Sequence, residues 1–182
     1  MHSHQRRFHG NAERLRAPQR IQLLETGRVV LLSVEGLRPD SVLDVGTGTG
    51  VFAEAFAKEK VRVAGIDSDP DLLAMARRFV PDASFQTAVA ENLPFEDGSF
   101  DLVFLGHVLH ETDEPVSALT EARRVARRRV VILEWPYTVE DGGPPLAHRL
   151  AADRIMKLAE EAGLISVERI TLAHMELFRA TL

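Results

Sequence analysis

The stretch Val42-Leu43-Asp44-Val45-Gly46-Thr47-Gly48-Thr49-Gly50 decides how the rest of the chain reads. Val42 to Val45 is a short apolar run, suited to a strand buried on both faces. Three glycines alternate with threonines, and Val51-Phe52-Ala53-Glu54-Ala55-Phe56-Ala57 follows with helical character. The order is strand, glycine turn, helix. Glycine lets the backbone take a positive φ and approach a ligand with no Cβ in the way. Such a turn also points free N–H groups toward whatever lies above the strand. The spacing narrows the choice. The glycines fall at 46, 48 and 50, whereas a dinucleotide fingerprint needs glycine at 51, where Val51 stands. The Gly-Lys-Ser/Thr of a phosphate loop is absent.

Outward from this stretch, strand and helix alternate. Upstream, residues 1–17 are polar and carry His2, His4 and His9; they read as a loosely ordered terminus or as a lid over a site. Residues 19–34 read as helix, broken at Gly27. Downstream, residues 61–66 form a second strand closed by Asp67, and Asp69-Pro70 opens a helix with proline in its first turn. Residues 83–88 form a third strand, 100–105 a fourth, and Asp113-Glu114-Pro115 caps a helix running to about Ala126. Residues 129–134 are a fifth strand. The proline-rich 136–147 stretch is a long loop, 151–162 a helix ended by Gly163, and 164–181 a hairpin. The pattern predicts an α/β fold: one doubly wound, mostly parallel seven-stranded sheet with an antiparallel last strand. Residues 1–36 are an N-terminal extension and 37–182 the domain proper.

Composition bounds the rest. A chain of 182 residues with 45% hydrophobic and 27% charged side chains is an ordinary globular domain. A formal net charge of -5 disfavours nucleic acid as a partner. With no cysteine there is no disulfide, thiolate metal site or thiol nucleophile. No leader and no membrane span are expected, which makes the cytoplasm the default.

The 42–57 stretch resembles motif I of the class I S-adenosylmethionine (SAM) dependent methyltransferases. A second block agrees. Ala90-Glu91-Asn92-Leu93-Pro94-Phe95, followed by Asp97-Gly98-Ser99-Phe100-Asp101, resembles a loop of the group that includes the ubiquinone-biosynthesis methyltransferases. The resemblance covers about residues 40–182. It implies SAM as cofactor, S-adenosylhomocysteine as product, and transfer of a methyl group to a small-molecule acceptor by in-line displacement. It also implies that the 90–95 loop holds adenine through backbone at Ala90 or Glu91. The group's side-chain contact from an Asp is missing, because Val89 stands there. The lack of cysteine speaks against the arsenite branch of the family. A nucleotide-dependent oxidoreductase and a SAM-binding sensor or partner subunit without transfer activity stay open as alternatives.

In open α/β sheets the ligand lies beyond the carboxyl ends of the strands. That places the cofactor against Asp44, Gly46, Thr47, Gly48 and Gly50, with Asp67 and Ser68 at the second strand end, Ala90 and Glu91 in the loop, and Gly106 and His107 after the fourth strand. Asp67, 21 residues after Gly46, can accept ribose hydroxyls or cap the next helix. His107 and His110 are the candidate catalytic groups. Imidazole titrates near working pH, and three-residue spacing would put both on one face of a helical turn. They can equally be packing residues, or a metal pair with Glu111 or Glu134, although no third histidine sits at ligand spacing. His110 should look outward into the cleft and His107 back toward the cofactor. The acceptor is expected against His110, Glu134, Trp135 and Tyr137, where an aromatic face attracts a sulfonium cation. Arg123, Arg124, Arg127, Arg128 and Arg129 read as a solvated helix C-terminus. No metal is expected, and the oligomeric state is unreadable.

Overall fold

The structure, a computed structural model, describes residues 12–139 and 142–182. Residues 1–11, with His2, His4 and His9 of the expected lid, lie outside the described part. Three helices come first, α1 (Ala12–Leu15), α2 (Pro18–Leu23) and α3 (Thr26–Val34). Then follow β1 (Ser41–Val45), α4 (Val51–Lys58), β2 (Arg62–Asp67), α5 (Pro70–Phe79), β3 (Ser84–Thr87), β4 (Phe100–Gly106), α6 (Pro115–Val125), β5 (Ala126–Glu134), α7 (Ala152–Glu161), β6 (Glu168–Thr171) and β7 (Glu176–Thr181). The seven strands form one sheet in the order β3-β2-β1-β4-β5-β7-β6. Strands β1 to β5 run parallel, and β7 runs against both β5 and β6. The winding reverses between β1 and β4, which opens a crevice at their carboxyl ends.

The strands read as continuous apolar runs because both faces are covered. Leu43, Val45, Val103, Leu105, Val130 and Ile132 pack toward α6 and α7 through Ala118, Leu119, Ile155 and Leu158. The alternate residues Val42, Leu102, Phe104, Val131 and Leu133 pack toward α3, α4 and α5 through Val29, Phe52, Phe56 and Leu73. The period of two along each strand thus feeds two apolar layers.

Three local readings need correction. The N-terminal helix breaks at Glu25, whose φ is 47°, and Gly27 sits inside the first turn of α3. Pro18 sits in the first turn of α2, where its missing N–H costs nothing. Strand β5 begins directly after α6, at Ala126, so the connection is abolished and a register irregularity appears between Phe100 and Leu102. The arginine run is therefore only in part a helix end: Arg123, Arg127 and Arg128 are exposed, Arg124 is half-buried and Arg129 is buried. Arg124 binds Glu121, Asp97 and the carbonyls of Leu93 and Phe95, which ties the 92–98 loop to α6. Arg127 pairs with Asp101 at 2.9 Å, and Arg129, on β5, is buried with its Nη1 donating to the carbonyls of Ser33 and Glu35.

Candidate active site

The crevice at the switch point is a cleft of about 420 Å³, within the usual range for small-molecule sites. The glycine loop forms one wall. Gly46 has a φ of 66°, and a Cβ there would fall inside the Val108 side chain, so the loop can only close on the 106–112 segment without one. Gly50, at φ 78°, starts α4 and touches Ala76 of α5 closely enough that a Cβ would lie 3.1 Å from the Ala76 Cβ. Asp44 sits beneath the loop. Its carboxyl accepts from the Thr47 hydroxyl at 2.6 Å and from the Ala53 amide, and burial pushes its pKa up to about 7. It braces the loop from below and does not line the cleft; Gly50 does not line it either.

Asp67 does line the cleft. Its Oδ2 accepts the Gly48 amide at 2.8 Å and its Oδ1 accepts the Asp69 amide at 2.9 Å. Burial raises its pKa, and the amides from Asp69 and Gly48 work the other way. The helix-cap alternative belongs to a different residue. Asp69 accepts from the amides of Asp71 and Leu72 at the start of α5. With the Ser68 amide as a third donor, the Asp67 carboxylate still has acceptor capacity in the cleft wall, since each carboxylate oxygen takes more than one donor. Thr47, Gly48, Ser68, Ala90 and Glu91 line the same region, with Val89.

On the opposite side, Gly106, His107, Val108, Glu111 and Thr112 form the wall. His107 has a φ of 62°, an uncommon conformation for a residue with a Cβ. Its amide donates to the Leu133 carbonyl at 2.8 Å. The ring lies 5.1 Å from the Trp135 ring, and Nε2 is 3.2 Å from the Met175 sulfur. Burial, then Arg20, then His110 hold its pKa well below the ordinary value, so the ring is neutral.

The left-handed turn at His107 also undoes the expected sharing of a face. His110 does not look into the cleft: it is 4% exposed, and its Nδ1 is 2.7 Å from Glu134 Oε2. The His110 amide donates to the other Glu134 oxygen at 3.3 Å. Burial opposes charge on this ring, but the Glu134 carboxylate, by charge and hydrogen bond, and then Glu111 outweigh it and raise the pKa. Glu134 is buried as the partner of that ring. Trp135 is 2% exposed, and His107 stacks on it. Tyr137 is 53% exposed. Glu134, Trp135, Tyr137 and His110 are all absent from the cleft lining. His110, Glu134 and Trp135 thus lie behind the cleft wall, with His107, Glu111 and Arg20 among the described residues that line it, while Tyr137 stands at the surface outside the lining. Among the described residues no group of three or more His, Asp or Glu side chains could hold a metal ion.

The residues that sequence reasoning passed over come from elsewhere. Leu15, Arg20 and Leu24 bring the N-terminal helices into the cleft wall, with Phe52 from α4. Arg16 anchors that segment: it donates to the Thr49 carbonyl at 2.8 Å, pairs with Glu54, and lies 3.5 Å above the Phe79 ring. Arg149 is buried and donates to the carbonyls of Pro136, Thr138, Gly142 and Pro144, gathering the long loop around one guanidinium. A Cβ on Gly143 would meet the Trp135 ring at 2.6 Å, so this loop lies flat on the indole. A run of loop carbonyls leaves no trace in side-chain chemistry, and no sequence signal announces Arg149 as their hub.

A family model described as a methyltransferase domain matches residues 43–133. Among curated proteins, a demethylmenaquinone methyltransferase of Chlorobaculum parvum is 38% identical over 95 residues, 52% of this chain and 39% of that protein. One of Paenarthrobacter aurescens is 33% identical over 132 residues, 71% of this chain and 51% of that protein. The matches span about half or less of the length of these relatives. Among solved structures, a SAM-dependent methyltransferase from Aquifex aeolicus superposes with a TM-score of 0.80 at 25% identity, covering 93% of this chain and 96% of that one.

Proposed function

Because this chain belongs to the methyltransferase domain family, we propose that it carries a methyl group from SAM to a small-molecule acceptor. The observation that supports this most is the Asp67 carboxylate. It stands in the cleft wall, held by the Gly48 and Asp69 amides and not used as a helix cap. A carboxylate so placed is an acceptor for paired ribose hydroxyls. The cleft fits the cofactor in two further respects. The glycine loop offers backbone with no side chain toward the ligand, and Ala88 to Glu91 line the cleft beside it, where the Ala90 and Glu91 backbone can meet a base edge.

Bound there, SAM supplies a methyl group activated by the positive sulfur. The chain's residues then have distinct tasks. Gly46, Thr47, Gly48, Asp67, Ser68, Ala90, Glu91 and Gly106 hold the cofactor. Leu15, Leu24 and Phe52 exclude water, so that the acceptor is aligned in a dry site. His107 and Glu111 are the groups on the opposite wall able to take a proton, if the acceptor arrives protonated. The lowered pKa of His107 leaves its ring unprotonated and able to accept, as a weak base. His110 acts through Glu134 as a positioning residue: it fixes the 106–112 segment against the end of β5.

Among the described residues no helix is long and apolar enough to cross a membrane. The curated relatives are named for demethylmenaquinone, so demethylmenaquinone is the first acceptor to try. The test is transfer of label from methyl-labelled SAM across a panel of small acceptors that includes this one. Label in a small product supports the proposal. Tight S-adenosylhomocysteine binding with no transfer to any member of the panel supports a binding protein instead.

A further inference from the structure

Three side chains run from the cleft wall into the protein behind it. Glu111 lines the cleft and is half-buried. The buried His110 ring lies next, its Nε2 3.7 Å from Glu111 Oε1. Glu134, buried at the end of β5, meets the other ring nitrogen, Nδ1, at 2.7 Å. One imidazole thus stands between two carboxylates, and one of the two belongs to the cleft.

The Glu134 contact decides what the far side of the ring can do. A carboxylate accepts hydrogen bonds and donates none, so Nδ1 carries the hydrogen. In the neutral ring Nε2 then keeps its lone pair, on the side of Glu111. Holding the 106–112 segment uses Nδ1 and the His110 amide and makes no use of Nε2. A buried carboxylate that sets the tautomer of a histidine also stabilises the imidazolium formed when the second nitrogen takes a proton.

The surrounding charges suit a ring that gains a proton and gives it back. Burial disfavours the charged ring; Glu134 and then Glu111 outweigh it, Arg149 works on the side of burial, and the pKa is raised. The Glu111 charge also acts on Arg20 of α2, and His110 acts on His107. His107 offers the contrast. Its Nε2 meets the Met175 sulfur, and burial, Arg20 and His110 all disfavour its charged form.

We propose that Glu111, His110 and Glu134 form a relay that carries the acceptor's proton out of the cleft. The relay rests on the proposed methyl transfer. As the acceptor atom bonds the methyl carbon and the carbon–sulfur pair returns to sulfur, the acceptor's proton passes to a Glu111 oxygen. A small rotation of Glu111 brings it within hydrogen-bond reach of Nε2, and the proton moves on to the ring. Glu111 is a carboxylate again, Glu134 keeps its charge, and the positive charge lost by sulfur reappears on His110. After product leaves, the proton returns through Glu111 to water. His110 acts through Glu111 and does not touch the acceptor.

Two measurements on the full chain test this. The first needs no variant: NMR of the histidine ring nitrogens in the S-adenosylhomocysteine-loaded protein, above the pH at which His110 titrates. The relay requires hydrogen on Nδ1 and none on Nε2. A neutral His110 ring with its hydrogen on Nε2 cannot accept from Glu111 and overturns the relay. The second is the pH profile of label transfer from methyl-labelled SAM to demethylmenaquinone, or to whichever panel acceptor takes label, in the wild type, His110→Asn and Glu111→Gln. Asparagine keeps a donor for Glu134 and lacks Nε2. In the wild type kcat should rise with pH through the His110 ionisation, because only the neutral ring accepts. His110→Asn should lose that rise and lower kcat by about tenfold or more, with KM for SAM within about twofold; Glu111→Gln should lose at least as much. A wild-type profile in His110→Asn makes His110 a structural residue and overturns the relay, whatever the rate. If His110→Asn does not fold, the tautomer decides. A wild-type chain that transfers no label at any pH contradicts the proposed function, and the relay with it.

Discussion

On the Asp67 side of the cleft, the groups that face a ligand are backbone amides and one carboxylate, drawn from two consecutive strand–turn–helix units. On the His107 side they are side chains collected from distant segments: Arg20 of α2, His107 and Glu111 after β4, with Trp135 and Met175 behind. The first wall is set by where glycine permits the chain to go. The second is set by pairings between buried groups, above all His110 with Glu134 and His107 with Trp135. The first should therefore be sensitive to added atoms and the second to lost partners.

The largest expected effect lies in the second wall. Glu134→Ala leaves His110 buried without its partner and should destabilise the fold by about 3–5 kcal/mol in urea or thermal unfolding. Glu134→Gln, which still accepts from the ring, should lose less. A loss under about 1 kcal/mol in Glu134→Ala would mean that the pair does not hold this wall.

In the first wall the sharpest probe is Gly46→Ala. The new Cβ collides with Val108 at a φ of 66°. Left-handed backbone and overpacking together should cost about 2 kcal/mol or more. Val108→Ala in the same chain should recover part of it, because it removes the colliding methyl. No recovery would show that backbone strain alone sets the penalty.

The smallest effect separates the two histidines. His110 should titrate above the ordinary value of 6.5 and His107 well below it, read site by site from ring proton shifts in NMR. The signs oppose each other. The raised His110 contributes stability that is full below pH 6.5 and lost as pH rises through its folded value. The lowered His107 withdraws stability as pH falls below 6.5. The two rings therefore make bulk stability peak near pH 6.5 and fall on either side, through His107 below it and His110 above it. Two histidines with the same pKa would erase the distinction between them.

These differences also explain what could be read in advance. The strand–glycine–helix unit at 42–57 is local: each residue acts on its neighbours, so the loop and Asp67 were legible from spacing. The helix cap that Asp67 could have supplied comes from Asp69, two residues later. His110, expected to look outward because it lies further from the strand than His107, is instead buried against Glu134 after a left-handed turn at His107, a conformation its residue type does not announce. Glu134, Trp135 and Tyr137 were correctly located at the end of β5, but which way each faces depends on Arg149 and on His107, whose ring meets both Trp135 and the distant Met175. Arg20 and Leu15 were invisible for the same reason. Helices before the first strand carry no mark of which part of the sheet they will cover.

Calorimetric titration of S-adenosylhomocysteine into the wild type and Asp67→Asn, with NAD as the control ligand, tests the cofactor site most directly. Asp67→Asn keeps the shape of the side chain but gives up the charge that would accept two hydroxyls. The account predicts saturable binding to the wild type, affinity lower by about tenfold or more in Asp67→Asn, an unchanged unfolding midpoint within a few degrees, and no heat from NAD. Binding of NAD in place of S-adenosylhomocysteine, or equal S-adenosylhomocysteine affinity in the two proteins, would contradict it.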